Sequence, residues 1–176
     1  SRMSVPLLTE AIPPNIFCVA DSQVASRWGN ITEFKGFDLI TPNERESRFA
    51  LADQDSTIGG LASLLKERAE YKNLILKLGE RGIFCSSNDT TAKNSYFSVS
   101  SFASSTIDAV GAGDALLAYA TLSMLTTGSL VKAAILGSMA AACECELDGN
   151  IPIQLEMVLA KIDAVEKLTN YSSNGG

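Results

Sequence analysis

The 176-residue sequence contains no histidine. Histidine-based zinc sites, Ser-His-Asp triads and Cys-His nucleophile pairs are therefore excluded, since each needs an imidazole. Positive charge is also scarce: 14 Lys and Arg stand against 20 Asp and Glu, for a net charge of -6. A protein that grips duplex nucleic acid needs a positive face, so nucleic acid is not an expected partner. No apolar run approaches the roughly eighteen residues needed to cross a bilayer, so no membrane association is expected either. Ser1-Arg2-Met3 opens no apolar signal-peptide core. The four cysteines, Cys18, Cys85, Cys143 and Cys145, form no C-x-x-C pair. They are read as buried free thiols in a reducing compartment, which makes the expected location cytoplasmic.

What is present suits a folded core. Apolar residues make up 46% of the chain and charged residues 19%, which is not the composition of a disordered segment. The length fits one domain or part of a larger one, with roughly 70% of the unfolded surface hidden on folding.

Residues 1–15 carry Pro6, Pro13 and Pro14 and read as an extended lead-in or a cloning remnant. Ile16 to Ala20 is a continuous apolar run that stops at Asp21, as expected of a strand covered on both faces. Phe37 to Ile40 is a second candidate strand, ended by Thr41-Pro42-Asn43, and Asn43 can cap a helix starting at Glu44. Ile58, Leu61, Leu64 and Leu65 recur at helical spacing. Leu74 to Leu78, Ile83 to Cys85 and Tyr96 to Val99 read as strands, the first two joined by the turn Gly79-Glu80-Arg81-Gly82. Ser86 to Ser95 is polar and reads as a tip. Three helices are expected after Gly113. They are an Ala- and Leu-rich one from Asp114, an almost wholly apolar one over Leu130 to Cys145, and an amphipathic one carrying Leu155, Val158, Leu159, Ile162 and Val165. Residues 16–170 form the domain and 171–176 a frayed tail. Strands interspersed with helices indicate an α/β layered unit, with an antiparallel margin contributed by the strand-rich stretch up to Val99.

Three short motifs carry the chemistry. The sharpest is Asp108-Ala109-Val110-Gly111-Ala112-Gly113-Asp114. Two glycines flanking one small residue let the backbone turn tightly and approach an anion, and the N–H groups of the following helix then point at that anion. Asp114, in the first helical turn, could take a proton from an attacking hydroxyl. It could equally be an acid placed there by the helix dipole alone. The run is neither G-x-x-x-x-G-K-[ST] nor G-x-G-x-x-G. Second is Pro42-Asn43-Glu44-Arg45-Glu46, whose amide and carboxylate oxygens suit a hard cation reached through water. Asn43 and Glu46 also have the spacing of a helix capping box. Third is Leu76-Lys77-Leu78-Gly79-Glu80-Arg81-Gly82, which could serve as a plain four-residue connection.

Together, in this order, the motifs resemble those of the ribokinase-like (PfkB) carbohydrate kinases. The pattern D-x-x-G-A-G-D is similar to that family's C-terminal signature, P-N-x-x-E to its upstream acidic segment, and L-G-x-x-G to a strand-turn element. The resemblance implies a three-layer α/β/α ribokinase-like fold, incomplete here because only its C-terminal, nucleotide-binding portion is matched. It implies ATP and Mg2+ as cofactors and a hydroxyl of a sugar-like small molecule as acceptor. Asp114 would be the general base, and Gly111, Ala112 and Gly113 the anion hole. Asn43 and Glu46 would organise Mg2+ through water. Lys77, Gly79, Gly82 and Asp108 would lie against the nucleotide. Asp21 is similar to the acid of the family's D-P-x-x-x-R segment, with Ser22 in place of proline and Arg27 as the basic residue. The family usually has threonine between the first Asp and first Gly, where this chain has Ala109 and Val110. The sugar-gripping residues and lid would belong to a missing N-terminal portion. An open sheet edge is then expected to promote self-association. A non-catalytic nucleotide- or metabolite-binding module of the same fold is the alternative.

Overall fold

The computed structural model describes residues 5–21, 31–88, 96–149 and 151–173. Two compact units are present, Ser1–Ser100 and Ser101–Gly176.

The first unit is built on a five-stranded sheet in the order β1 (Val19–Ala20), β2 (Leu39–Ile40), β3 (Asn73–Lys77), β4 (Ile83–Ser87) and β5 (Tyr96–Val99). β1, β2 and β3 run parallel, with Ala20 opposite Ile40 and Ile40 opposite Leu74. β3, β4 and β5 run antiparallel, so the expected margin is present. Helix α1 spans Val5–Ala11, α2 Glu44–Leu51 and α3 Ile58–Ala69. Ile40, Leu74 and Leu76 pack with Leu61, Leu65 and Ala69 of α3, and all six are fully buried. Burial of each large aliphatic side chain contributes about 1.5–3 kcal/mol. The alternate residues Leu39, Ile75 and Cys85 are fully buried as well, which is why the strand sequences read as unbroken apolar runs rather than as alternation. Tyr71 is buried with its hydroxyl donating to the Ala62 carbonyl at 3.1 Å, so its polar end is satisfied.

Several sequence expectations for the first unit differ from the structure; β2, for one, holds only Leu39–Ile40 of the expected Phe37 to Ile40. The lead-in is not extended: Val5–Ala11 is helical, because Pro6 falls in the first turn, where an N–H has no helical partner, and Pro13-Pro14 lies beyond the end. β1 is shorter than Ile16 to Ala20, because the Asp38 carboxylate accepts the Cys18 N–H at 2.8 Å in place of a ladder bond. β3 begins and ends one residue earlier than expected, since Leu78 N–H turns to the Gly82 carbonyl at 2.9 Å. Ser86 and Ser87 continue β4 instead of starting a tip. Residues 89–95 of that tip, and Ser22 and Arg27, lie outside the described residues.

The second unit holds α4 (Ala112–Thr127), α5 (Leu130–Cys145) and α6 (Leu155–Ser173). The expected frayed tail is helical as far as Ser173. α5 is buried along most of its length, yet Val131 and Ile135 are exposed, so it is not covered all round. Met139, Ala140 and Val158 form a small core with Tyr119, Leu136 and Ile162. Glu146, just past α5, accepts from Ser104 N–H at 2.7 Å, from Ser104 Oγ at 2.8 Å and from Lys161 Nζ at 2.5 Å. Burial raises its pKa, but Lys161 and both Ser104 donors outweigh burial and hold the carboxyl below the ordinary 4.5. All four cysteines are free, and burial pushes the Cys85 thiol up to about 12, so it is not a nucleophile near neutrality.

Two predictions follow from these packing details. A Cβ on Gly137 would meet the Leu116 carbonyl oxygen at 3.0 Å and Ala120 Cβ at 3.2 Å, so α4 and α5 touch where only hydrogen fits. Gly137→Val is expected to lose roughly 1–3 kcal/mol in urea unfolding, and unchanged stability would mean the helix pair can part without cost. Glu146 has a lowered pKa, so its stabilisation is present above its unfolded value and is lost as pH falls through the folded one. Glu146→Gln should therefore be less stable than the parent at neutral pH and equal to it well below 4.5. A constant difference across that range would remove the ion pair as the cause.

Candidate functional site

In the first unit the parallel strands bring their carboxyl ends to one edge, the place where open α/β sheets present ligand sites. Asp21 follows β1, Thr41-Pro42-Asn43 follows β2, and Lys77-Leu78-Gly79 ends β3. Lys77 N–H donates to the Pro42 carbonyl at 2.9 Å, and Asn43 pairs with Lys77 as an isolated parallel bridge. Lys77 Nζ donates to Asp21 Oδ2 at 2.7 Å. Asn43 Oδ1 accepts Glu46 N–H at 2.8 Å while Glu46 Oε2 accepts Asn43 N–H at 2.8 Å, a complete capping box at the start of α2. Asn43, Glu46 and Lys77 are thus neighbours at this edge. Asp21 joins them as the direct partner of Lys77, a role that no local signal in the sequence announced.

Glu46 is buried, and burial lifts its pKa above the ordinary 4.5. The Asn43 N–H and the Lys77 charge oppose that rise, while Asp21 adds to it. One Glu46 oxygen is taken by the cap, so the carboxylate has one oxygen to offer water or a cation.

An open cleft of about 630 Å³ lies beside these residues, lined by Asn43, Arg45, Arg48, Phe49, Lys77 and Gly79 among others. Arg48 is committed: its Nη2 donates to Glu44 Oε1 at 2.9 Å and to the Ser56 carbonyl at 3.0 Å. Arg81 also pairs with Glu44. Burial would raise the Glu44 pKa, but the two arginines reverse this and hold it below the ordinary value. Gly79 sits at φ 63° and opens the tight turn closed by Gly82 N–H on the Gly79 carbonyl at 2.9 Å. A side chain at Gly79 would meet nothing within 4 Å, so the glycine is required by backbone conformation and not by crowding from the protein.

In the second unit the glycine turn is held from two directions. Ile107 and Asp108 N–H groups both reach the Cys145 carbonyl, at 2.8 and 3.3 Å, and Asp108 Oδ1 accepts Val110 N–H at 2.9 Å. Asp108 thereby shapes the turn with its own carboxylate. Gly111 has φ 89° and ψ -22° and is the N-cap of the sixteen-residue α4, with Ala115 N–H on its carbonyl at 2.9 Å. Ala112, Gly113 and Asp114 therefore form the first turn, whose N–H groups have no partner further back in the helix; Ala112 N–H reaches the Ala109 carbonyl of the turn at a long 3.4 Å. Asp114 is exposed at the third helical position, next to those donors. Ala109 and Val110, which depart from the resembled motif, are exposed on the turn.

Comparison with known proteins places the chain. Residues 19–155 match the profile described as pfkB family carbohydrate kinase. Among curated proteins none matches the sequence. Ribokinase from Thermotoga maritima is similar in structure, with TM-score 0.68 and 26% identity over 82% of this chain and 48% of that one. Arabidopsis thaliana ribokinase complexed with ribose and ATP gives TM-score 0.67 and 20% identity over 82% of this chain and 46% of that one. Phosphofructokinase-2 from Escherichia coli in complex with substrates and products gives TM-score 0.75 and 17% identity over 92% of this chain and 52% of that one. The chain spans about half the length of these solved structures. The mixed sheet with its helices is the ribokinase-like α/β fold. With the profile match covering most of the sequence, the chain belongs to the pfkB family of carbohydrate kinases.

Proposed function

We propose that the whole protein transfers a phosphoryl group from ATP to a hydroxyl of a sugar or related small molecule, and that this chain supplies the nucleotide side of that reaction. The observation that carries the reading is Asp114 in the first turn of α4, directly after a glycine N-cap. A carboxylate there can accept the proton of an attacking hydroxyl while the N–H groups of Gly111, Ala112 and Gly113 face the negative charge of the group in transfer. The Arabidopsis relative bound to ribose and ATP supports this choice of substrates.

The donor set at the strand ends fits Mg2+. Among the described residues no cluster of three or more acidic or thiol side chains could cage a metal. Mg2+ does not need one, because it is commonly held by one or two carboxylates, waters and the phosphates of its ligand. Glu46, with Asn43 fixing its orientation, would hold it through water. Bound there, it would neutralise phosphate charge. Gly79 and Gly82 would let the backbone run close to the nucleotide, and Asp108 would keep the anion-binding turn in shape.

A second reading is a non-catalytic nucleotide- or metabolite-binding module of the same fold. The exposed Ala109 and Val110 favour it, since they stand where the resembled motif usually has threonine. Cytoplasmic location belongs to the proposal, and so does self-association: β1 is the outermost strand of the described sheet. Light scattering is expected to give a mass that rises with concentration, and a strictly monomeric chain over a wide range would refute the edge-pairing idea.

Asp114→Asn in the full-length protein is expected to lower kcat by about 10²–10⁴-fold with nucleotide affinity little changed. Parental turnover in that variant would exclude Asp114 as the base. A full-length parent that binds nucleotide but phosphorylates no sugar-like hydroxyl would favour the binding module.

A further inference from the structure

Lys77 is placed where a phosphate ligand would be useful, but it is not available as one. Its Nζ lies 2.7 Å from Asp21 Oδ2, and both side chains are largely buried, 18% and 22% exposed. Glu46 feels both charges, one lowering and one raising its pKa, so the three groups share one local field. Fully ionised, these three groups by themselves carry one net negative charge, so together they offer a bare polyphosphate no net attraction. Of the other cations lining the cleft, Arg48 is bonded to Glu44 and Ser56, and Arg45 is exposed, where solvent screens its charge. Beside the trio, Thr41 N–H donates to the Ala20 carbonyl at 2.9 Å, and its fully buried hydroxyl oxygen has no hydrogen-bond partner.

We propose that Asp21 is a latch on Lys77, opened by a divalent cation. The inference rests on the site reading given above and adds its order of assembly. A divalent cation attracts the carboxylates of Asp21 and Glu46 more strongly than a single ammonium does, because its charge is double and its preferred donors are oxygens. Arrival of the cation changes the net charge of these three groups from negative to positive. Lys77 is then released from Asp21 and donates to a phosphate oxygen, a charge-assisted bond of the strong kind. Asp21 is a positioning residue here, acting on the phosphate through Lys77.

The test is calorimetric titration of the chain with inorganic tripolyphosphate, with and without Mg2+, alongside Asp21→Asn and Lys77→Met. A thermal melt of each variant reports that it is folded. The parent should bind tripolyphosphate at least about tenfold tighter with Mg2+ than without, the size of one charge-assisted contact. Asp21→Asn should bind the metal-free anion about tenfold tighter than the parent and lose the enhancement by Mg2+. Lys77→Met should match the parent without metal and fall about tenfold below it with metal. If the parent binds with Mg2+ but Asp21→Asn leaves metal-free binding unchanged, or Lys77→Met weakens both conditions alike, the latch is wrong and the site stands. A parent that binds tripolyphosphate in neither condition overturns the site reading and the latch together.

Discussion

The parallel pairing of β2 with β3 is the constraint on which the candidate site in the first unit depends. It aligns Ile40 with Leu74, which leaves Asn43 level with Lys77 and sets the Lys77 N–H on the Pro42 carbonyl. A slip of one residue would turn Leu74 and Leu76 away from α3 and carry Lys77 to the opposite face, away from Asp21. The same apolar burial that fixes the register therefore fixes the position of the charges. Pro42 then keeps β2 from extending, and the chain can begin α2 with Asn43 as cap.

Around that edge most charged groups are already spoken for. Glu44 answers Arg48 and Arg81, Asp21 answers Lys77, and Glu46 closes the cap with Asn43. Such pairing makes the cleft less attractive to anions than its lining residues suggest. In the second unit the design is different. There the donors at the start of α4 are backbone N–H groups, oriented by a glycine cap and by the hold of Asp108 and Cys145 on the turn. Their partial charge cannot be neutralised by a side-chain counter-ion in the way an ammonium can.

Much of this was legible in the sequence where the signal is local. Thr41-Pro42-Asn43 announced the end of β2 and the start of α2, and Gly79 to Gly82 the turn between β3 and β4, because proline, asparagine and glycine act over a few residues. The D-x-x-G-A-G-D run marked the start of α4 for the same reason. What was not legible depends on partners distant in the chain. Lys77 and Asp21 are 56 residues apart, and nothing beside either names the other. Glu146 ties Ser104 to Lys161, partners 42 and 15 residues away that no local signal names. β1 is short because the Asp38 side chain displaces a ladder bond. Nothing in the sequence around Gly137 names the Leu116 carbonyl that lies against it.

The central claim is that the glycine turn before α4 is an anion site for a nucleotide. Amide NMR spectra of the labelled chain, recorded with increasing Mg2+ and a non-hydrolysable ATP analogue, test it residue by residue. The account predicts saturable shifts at the amides of Gly111, Ala112 and Gly113. A folded chain whose amides there stay still while the analogue binds elsewhere, or does not bind at all, would contradict it.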